Sequence, residues 1–146
     1  MTALLVTIVW WVVAGVVVGA MFARRDWQTF HSPGRITRLR SWETKERYER
    51  MTLVRLWKDR LPEAGTWFGG ISKRRLPRWA EGGRSRFAAE SLRAERVHLT
   101  LLLGVPIALT WSRSWWLAAN VAIGLGLNLP CIIVARYNRL RLMLLG

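Results

Sequence analysis

Asn128-Leu129-Pro130-Cys131-Ile132-Ile133-Val134-Ala135-Arg136-Tyr137-Asn138-Arg139 carries an apolar helix directly into a cluster of basic and polar side chains. The run from Trp115 to Ala135 contains no ionisable residue. At a rise of about 1.5 Å per residue it reaches about 30 Å, the thickness of a bilayer hydrocarbon core. Within it Asn128 stands two residues before Pro130, and Pro130 cannot donate to the carbonyl of Gly126. An amide side chain and a backbone carbonyl therefore need partners where lipid offers none. One reading is a packing kink in which Asn128 bonds the freed carbonyl. The other is polar chemistry at one membrane face, since Asn128 lies about 12 Å along a helix from Arg136 and can reach inward.

The remaining sequence fits a membrane setting. The chain has 146 residues, 51% hydrophobic content and a net charge of +14, and the charge is segregated. Ala3 to Phe22 has no ionisable residue, and Val97 to Trp111 has only His98. The first of these is long enough to span. The second reaches about 22 Å, so it either spans with Arg93, Arg96 and Ser112 completing its ends, or is a re-entrant helix. The expected fold class is an all-α membrane protein with three transmembrane helices, residues 3–22, 97–111 and 115–135. The last two form a hairpin through Ser112-Arg113-Ser114, and the whole is a single domain. Residues 23–96 form a basic interfacial region and residues 136–146 a tail.

Arg24 to Arg96 holds 19 of the 23 basic residues and all nine acidic ones, which puts this region in the cytoplasm. The amino terminus is then outside and the carboxyl terminus cytoplasmic, in a multi-pass membrane protein. Trp111, Trp115 and Trp116 fit the outer interface, whereas Trp10 and Trp11 sit deeper and pack against other helices. The first segment reads as a retained span rather than a leader, because Arg24 and Arg25 follow it and its apolar run exceeds the ~7–15 residues of a signal core. Gly15 and Gly19 give it a helix-packing pattern.

With Cys131 as the single cysteine, neither a disulfide within the chain nor a thiolate zinc site is expected. Membrane orientation accounts for the basic residues, so no nucleic acid is expected as a partner. In the cytoplasmic region Trp42 to Leu61 reads as one helix capped by Ser41, ended by Leu61-Pro62-Glu63-Ala64-Gly65. The basic loop from Gly69 to Arg75 lacks the spacing of a phosphate loop. A second helix is expected from about Arg84 to Trp111, entering the bilayer near Val97.

That second helix carries Glu90, Glu95 and His98. On helical geometry Glu95 lies about 60° to one side of His98 and Glu90 about 80° to the other. A carboxylate beside an imidazole fixes its tautomer and suits a general base. The plainer reading is a solvated helix end whose carboxylates offset Arg93 and Arg96. Glu95-x-x-His98 also has the spacing of di-iron bundles, but those need a second such pair, and the chain has two histidines, so no metal is expected. Arg136, Tyr137, Asn138, Arg139 and Arg141 form a basic rim of the kind that sets topology and anchors headgroups.

Three stretches resemble the glycosyl-4,4'-diaponeurosporenoate acyltransferase family of bacterial carotenoid biosynthesis. They are Leu53-Val54-Arg55-Leu56-Trp57-Lys58-Asp59-Arg60-Leu61-Pro62 with the Gly69 to Arg74 loop, then Glu90 to His98, and Asn128-Leu129-Pro130 through Arg136-Tyr137-Asn138-Arg139-Leu140-Arg141-Leu142. The likeness covers about residues 42 to 142. Ala135 stands where the family usually has Gln, and Leu99 where an aromatic is common. The resemblance implies esterification of a sugar hydroxyl on a glycosylated carotenoid acid by a fatty acyl group, late in the formation of a staphyloxanthin-like pigment. The acyl donor, acyl-CoA or acyl carrier protein, would be a co-substrate, with no bound cofactor.

On this reading His98, oriented by Glu95 or Glu90, deprotonates the hydroxyl. Asn128 and Asn138 position substrate or donate to the developing oxyanion. Arg136 and Arg139, with Tyr137 between them, hold the donor's phosphates or the lipid boundary. The alternative function is a non-enzymatic membrane scaffold that binds anionic lipid or partner helices, with homo-oligomers or pathway enzymes as partners.

Overall fold

The computed structural model describes residues 2–62, 66, 69–70 and 83–144. Among them are no strands. Six α-helices follow one another: α1 (Thr2–Ala23), α2 (Lys45–Thr52), α3 (Val54–Trp57), α4 (Gly83–Leu102), α5 (Gly104–Ala108) and α6 (Trp115–Met143). Short 3-10 turns lie at Trp27–Phe30 and Lys58–Arg60.

Two of these, α1 and α6, are long and apolar enough to cross a membrane. A core helix of a soluble protein would be mostly buried by its neighbours, whereas only 11% of the apolar window of α1 and 22% of that of α6 are. Leu5, Val9, Val12 and Val16 of α1 are exposed, as side chains solvated by lipid would be. With 29 residues α6 is about 44 Å long, some 14 Å more than a hydrocarbon core. The basic rim therefore rides on the same continuous rod as the uncharged run, and Pro130 lies within that rod.

Helix α4 runs antiparallel to α6, with Glu95 opposite Arg139 and His98 opposite Asn128. Helix α1 closes the third side. Its Phe22 packs on the small core of Phe30, Ala89 and Leu92 at one end. Nearer the other end, buried Trp11 lies against Gly124 and Trp10 against Gly104. A Cβ on Gly124 would come within 2.6 Å of Val105 Cγ2 and 2.7 Å of Trp11 Cζ2, so α1, α5 and α6 meet there only because α6 has no side chain. Trp10 meets Trp111 edge to face at 5.3 Å, and Trp115 stacks on Trp116 at 4.0 Å. Gly15, by contrast, has no heavy atom within 4 Å of its would-be Cβ, so the Gly15/Gly19 pattern is not used at that position inside the chain.

The expected helix from Arg84 to Trp111 is broken at Leu103. Pro106 has no N–H to donate to the Leu102 carbonyl, and Gly104 weakens the same turn, so α4 stops and the five-residue α5 follows as a separate helix. Residues 97–111 are thus not one continuous helix. The turn after α5 is closed by side chains: Ser112 Oγ donates to Ala108 O at 2.8 Å and accepts from Asn120 Nδ2 at 2.5 Å. Asn120 is buried, an amide within the uncharged run that the sequence reading does not single out.

The expected helix over Trp42 to Leu61 is also divided. Thr44, not Ser41, is the cap, its hydroxyl accepting from Arg47 N at 3.1 Å. Leu53 then takes a left-handed conformation, φ 50° and ψ 31°, and ends α2. Trp57 Nε1 donates to the Thr52 carbonyl at 2.8 Å, filling a partner that the broken helix no longer supplies. The Glu63–Gly65 part of the expected breaker and residues 71–75 of the basic loop lie outside the described residues.

Gly124→Ala is expected to lower stability by about 1–3 kcal/mol through overpacking against Val105 and Trp11. Gly126→Ala, with nothing within 4 Å of its would-be Cβ, should be neutral or stabilising by up to about 1 kcal/mol. Thermal unfolding of the two purified variants in the same detergent checks the contrast.

Candidate active site at the rim of helices α4 and α6

A buried partner of His98 comes from the opposite helix. His98 Nδ1 lies 2.9 Å from Asn128 Oδ1, and Asn128 Nδ2 donates to the Gly124 carbonyl at 2.8 Å. With the amide nitrogen spent on that carbonyl, the amide oxygen is the acceptor and Nδ1–H the donor. In the neutral imidazole the lone pair is then on Nε2. The expected kink contact differs in detail: Asn128 bonds the carbonyl one turn back, Gly124, rather than Gly126, which Pro130 leaves without its usual donor.

Glu95, three residues before His98, is fully buried and is committed to the opposite helix. It accepts from Arg136 Nη1 on one oxygen and from Arg139 Nη2 on the other. Glu90 is likewise engaged, by Arg93 of its own helix at 2.6 Å. The carboxylates that helical geometry aims near His98 are therefore drawn to arginines, because a buried carboxylate gains far more from a guanidinium than from a neutral ring.

Arg136 is the most completely paired member of the rim. Nε and Nη2 form a fork on Glu43, at 2.7 and 2.6 Å. Nη2 also donates to Arg38 O at 3.1 Å, and Nη1 to Glu95 and to Ile36 O at 3.4 Å. All five N–H donors of a guanidinium are thus used. Arg139 Nη2 donates to Thr37 O at 2.8 Å besides Glu95. The expectation that these two arginines hold donor phosphates meets a physical obstacle here: ion pairs would have to open first. Tyr137 OH donates to Glu49 Oε1 at 2.6 Å, which ties α6 to α2, and Asn138 is fully buried.

Glu43, Glu49 and Thr37 are partners of the rim that the sequence reading misses. One signal was available. In a chain with nine acidic residues, a rim of arginines at the end of an apolar helix needs counter-ions, and Glu43, Glu46 and Glu49 are three of the candidates. Burial raises the Glu43 carboxyl, but hydrogen bonds from Arg136, Tyr48 and the Arg40 N–H outweigh it and hold it at about 2. Burial and the bond to Glu43 push the Tyr48 hydroxyl up to about 12. Among the described residues no group of three or more His, Cys, Asp or Glu is placed to hold a metal ion.

Because the folded Glu43 lies below its ordinary value of 4.5, its contribution is fully present above that pH and is lost as pH falls toward about 2. Glu43→Gln is expected to cost on the order of 3 kcal/mol at pH 7 by leaving Arg136 part-paired. The gap between variant and wild type should close between pH 4.5 and 2. Thermal midpoints measured across that range test it, and a gap independent of pH would show that the charge is not what matters.

Comparison with known proteins finds no match among curated proteins or solved structures. Comparison with protein families matches residues 25–145, which include α2 to α6, the arginine rim, His98 and Asn128, to the family described as glycosyl-4,4'-diaponeurosporenoate acyltransferase. The match covers well over half of the chain, and the chain belongs to that acyltransferase family.

Proposed function

We propose that the chain is a membrane O-acyltransferase that esterifies a sugar hydroxyl of a glycosylated carotenoid acid with a fatty acyl group, late in the synthesis of a staphyloxanthin-like pigment. The observation that carries this reading is the His98 Nδ1 to Asn128 Oδ1 hydrogen bond between the paired helices of a chain of this family. It leaves Nε2 as the basic atom. Nε2 takes the hydroxyl proton while the sugar oxygen attacks the carbonyl of a thioester donor. The new C–O bond forms, the C–S bond breaks, and the proton passes from His98 to the leaving thiolate. The donor is acyl-CoA or an acyl carrier protein, and no protein nucleophile is needed.

In this scheme Asn128 is a positioning residue for His98, and Glu95, Arg136 and Arg139 hold the two helices in register. Tyr137 ties α6 to α2 through Glu49, and the buried Asn138 packs within the same frame. The site faces the cytoplasm, with the amino terminus outside, because the arginine-rich segment follows α1 and precedes α4. The apolar end of α4 with α5 completes the third, broken passage into the bilayer.

Co-expression with a pathway that makes the glycosylated carotenoid acid, followed by mass spectrometry of extracted pigment at matched membrane levels, tests the reading. His98→Ala should cut acylated product about 10²- to 10⁴-fold. Asn128→Leu should lower it less, and the double variant should be no worse than His98→Ala alone, because the two residues act as one unit. Wild-type product from His98→Ala removes His98 from the mechanism. No product from well-folded wild type favours the scaffold function.

A further inference from the structure

The bend between α2 and α3 displays apolar side chains that nothing in the described chain covers. Met51 and Leu56 are each 68% exposed and Leu53 is 56% exposed, with Trp42 and Ile36 exposed in the preceding segment. Leu53 is the informative one. It occupies the left-handed position that ends α2, where glycine or asparagine is favoured, and a leucine there carries a backbone penalty. Burial within the chain does not offset that penalty, because the side chain points outward.

The bend is nevertheless held firmly from behind. Val54 is fully buried, Trp57 Nε1 bonds Thr52 O, and Tyr137 of α6 bonds Glu49 of α2. The apolar tips are thus presented by a fixed frame attached where α6 emerges from its uncharged run. Arg47, Arg50 and Arg55 are exposed around them. Arg47 lies over the Trp42 ring at 5.4 Å, and an open cleft of about 310 Å³ is lined by Trp42, Thr44, Glu46, Arg47 and Arg50.

We propose that this bend is a docking surface for the headgroup layer of an anionic bilayer, the same bilayer that α1 and α6 enter. Met51, Leu53 and Leu56 would dip below the headgroups, Trp42 would lie among them, and Arg47 and Arg50 would hold lipid phosphates at the cleft. Apolar residues set singly among arginines, with a tryptophan at the edge, match an interfacial surface; a protein partner is better met by a contiguous apolar patch. The inference does not depend on the acyl-transfer reading.

The test uses the full chain with Cys131→Ser and a single spin-labelled cysteine at Met51 or Leu56, in detergent and in nanodiscs of phosphatidylcholine with or without phosphatidylglycerol. Labels in phosphatidylglycerol discs should become several-fold more accessible to oxygen and several-fold less accessible to a water-soluble nickel complex. Arg47→Gln with Arg50→Gln should abolish the lipid dependence. Leu53→Gly should leave the thermal midpoint in detergent unchanged or raised while reducing immersion of the Leu56 label. Labels equally open to water in all discs would overturn the proposal. So would labels shielded from both reagents regardless of lipid, which would indicate a protein contact, or a Leu53→Gly midpoint that falls as for a core residue.

Discussion

Arg136 is the group on which the arrangement depends. A guanidinium on the last turns of a long apolar helix, largely withdrawn from water, is tolerable only if its charge and its five N–H groups are all met. Glu43 and Glu95 supply the charge, and the Ile36 and Arg38 carbonyls take donors that remain. Three separate pieces of chain, the segment before α2, helix α4 and helix α6, are thereby drawn to one point. Arg139 repeats the pattern on Glu95 and Thr37 O.

The register of the site follows from that point. Long side chains on a helix lean toward its amino end, so Arg136 and Arg139 reach back along α6 to meet Glu95. His98 lies about 4.5 Å further along α4, in the direction in which α6 becomes apolar. There it meets Asn128. The charge cluster stands beneath the imidazole as a foundation, and the hydrogen bond that sets the tautomer comes from a neutral amide. A neutral orienting group avoids burying an additional carboxylate, which would need its own counter-ion.

What the sequence made legible was whatever depends on a run of like residues. The uncharged stretches of α1 and α6, the arginine rim and the adjacency of the Glu90–His98 and Asn128–Arg139 segments are read from hydropathy, charge and the family likeness together. The break after Leu102 was readable from Gly104 and Pro106 but was outweighed by the apolar content around them. Pairings were not readable. Helical angles put Glu95 near His98, yet the angle says nothing of competition from arginines on another helix, and that competition decided where the carboxylate went. Glu43 was hidden for a related reason: it lies 93 residues from Arg136, in a segment without periodicity. Leu53 was hidden because a left-handed leucine has no sequence signature.

The most direct measurement is the tautomer of His98. The chain has two histidines, so His31→Gln leaves a single imidazole for nitrogen-15 NMR of the labelled protein in nanodiscs. The account predicts that neutral His98 carries its proton on Nδ1, with Nε2 unprotonated, and that Asn128→Leu abolishes this preference. A neutral ring protonated on Nε2, or a preference unchanged by Asn128→Leu, would contradict it.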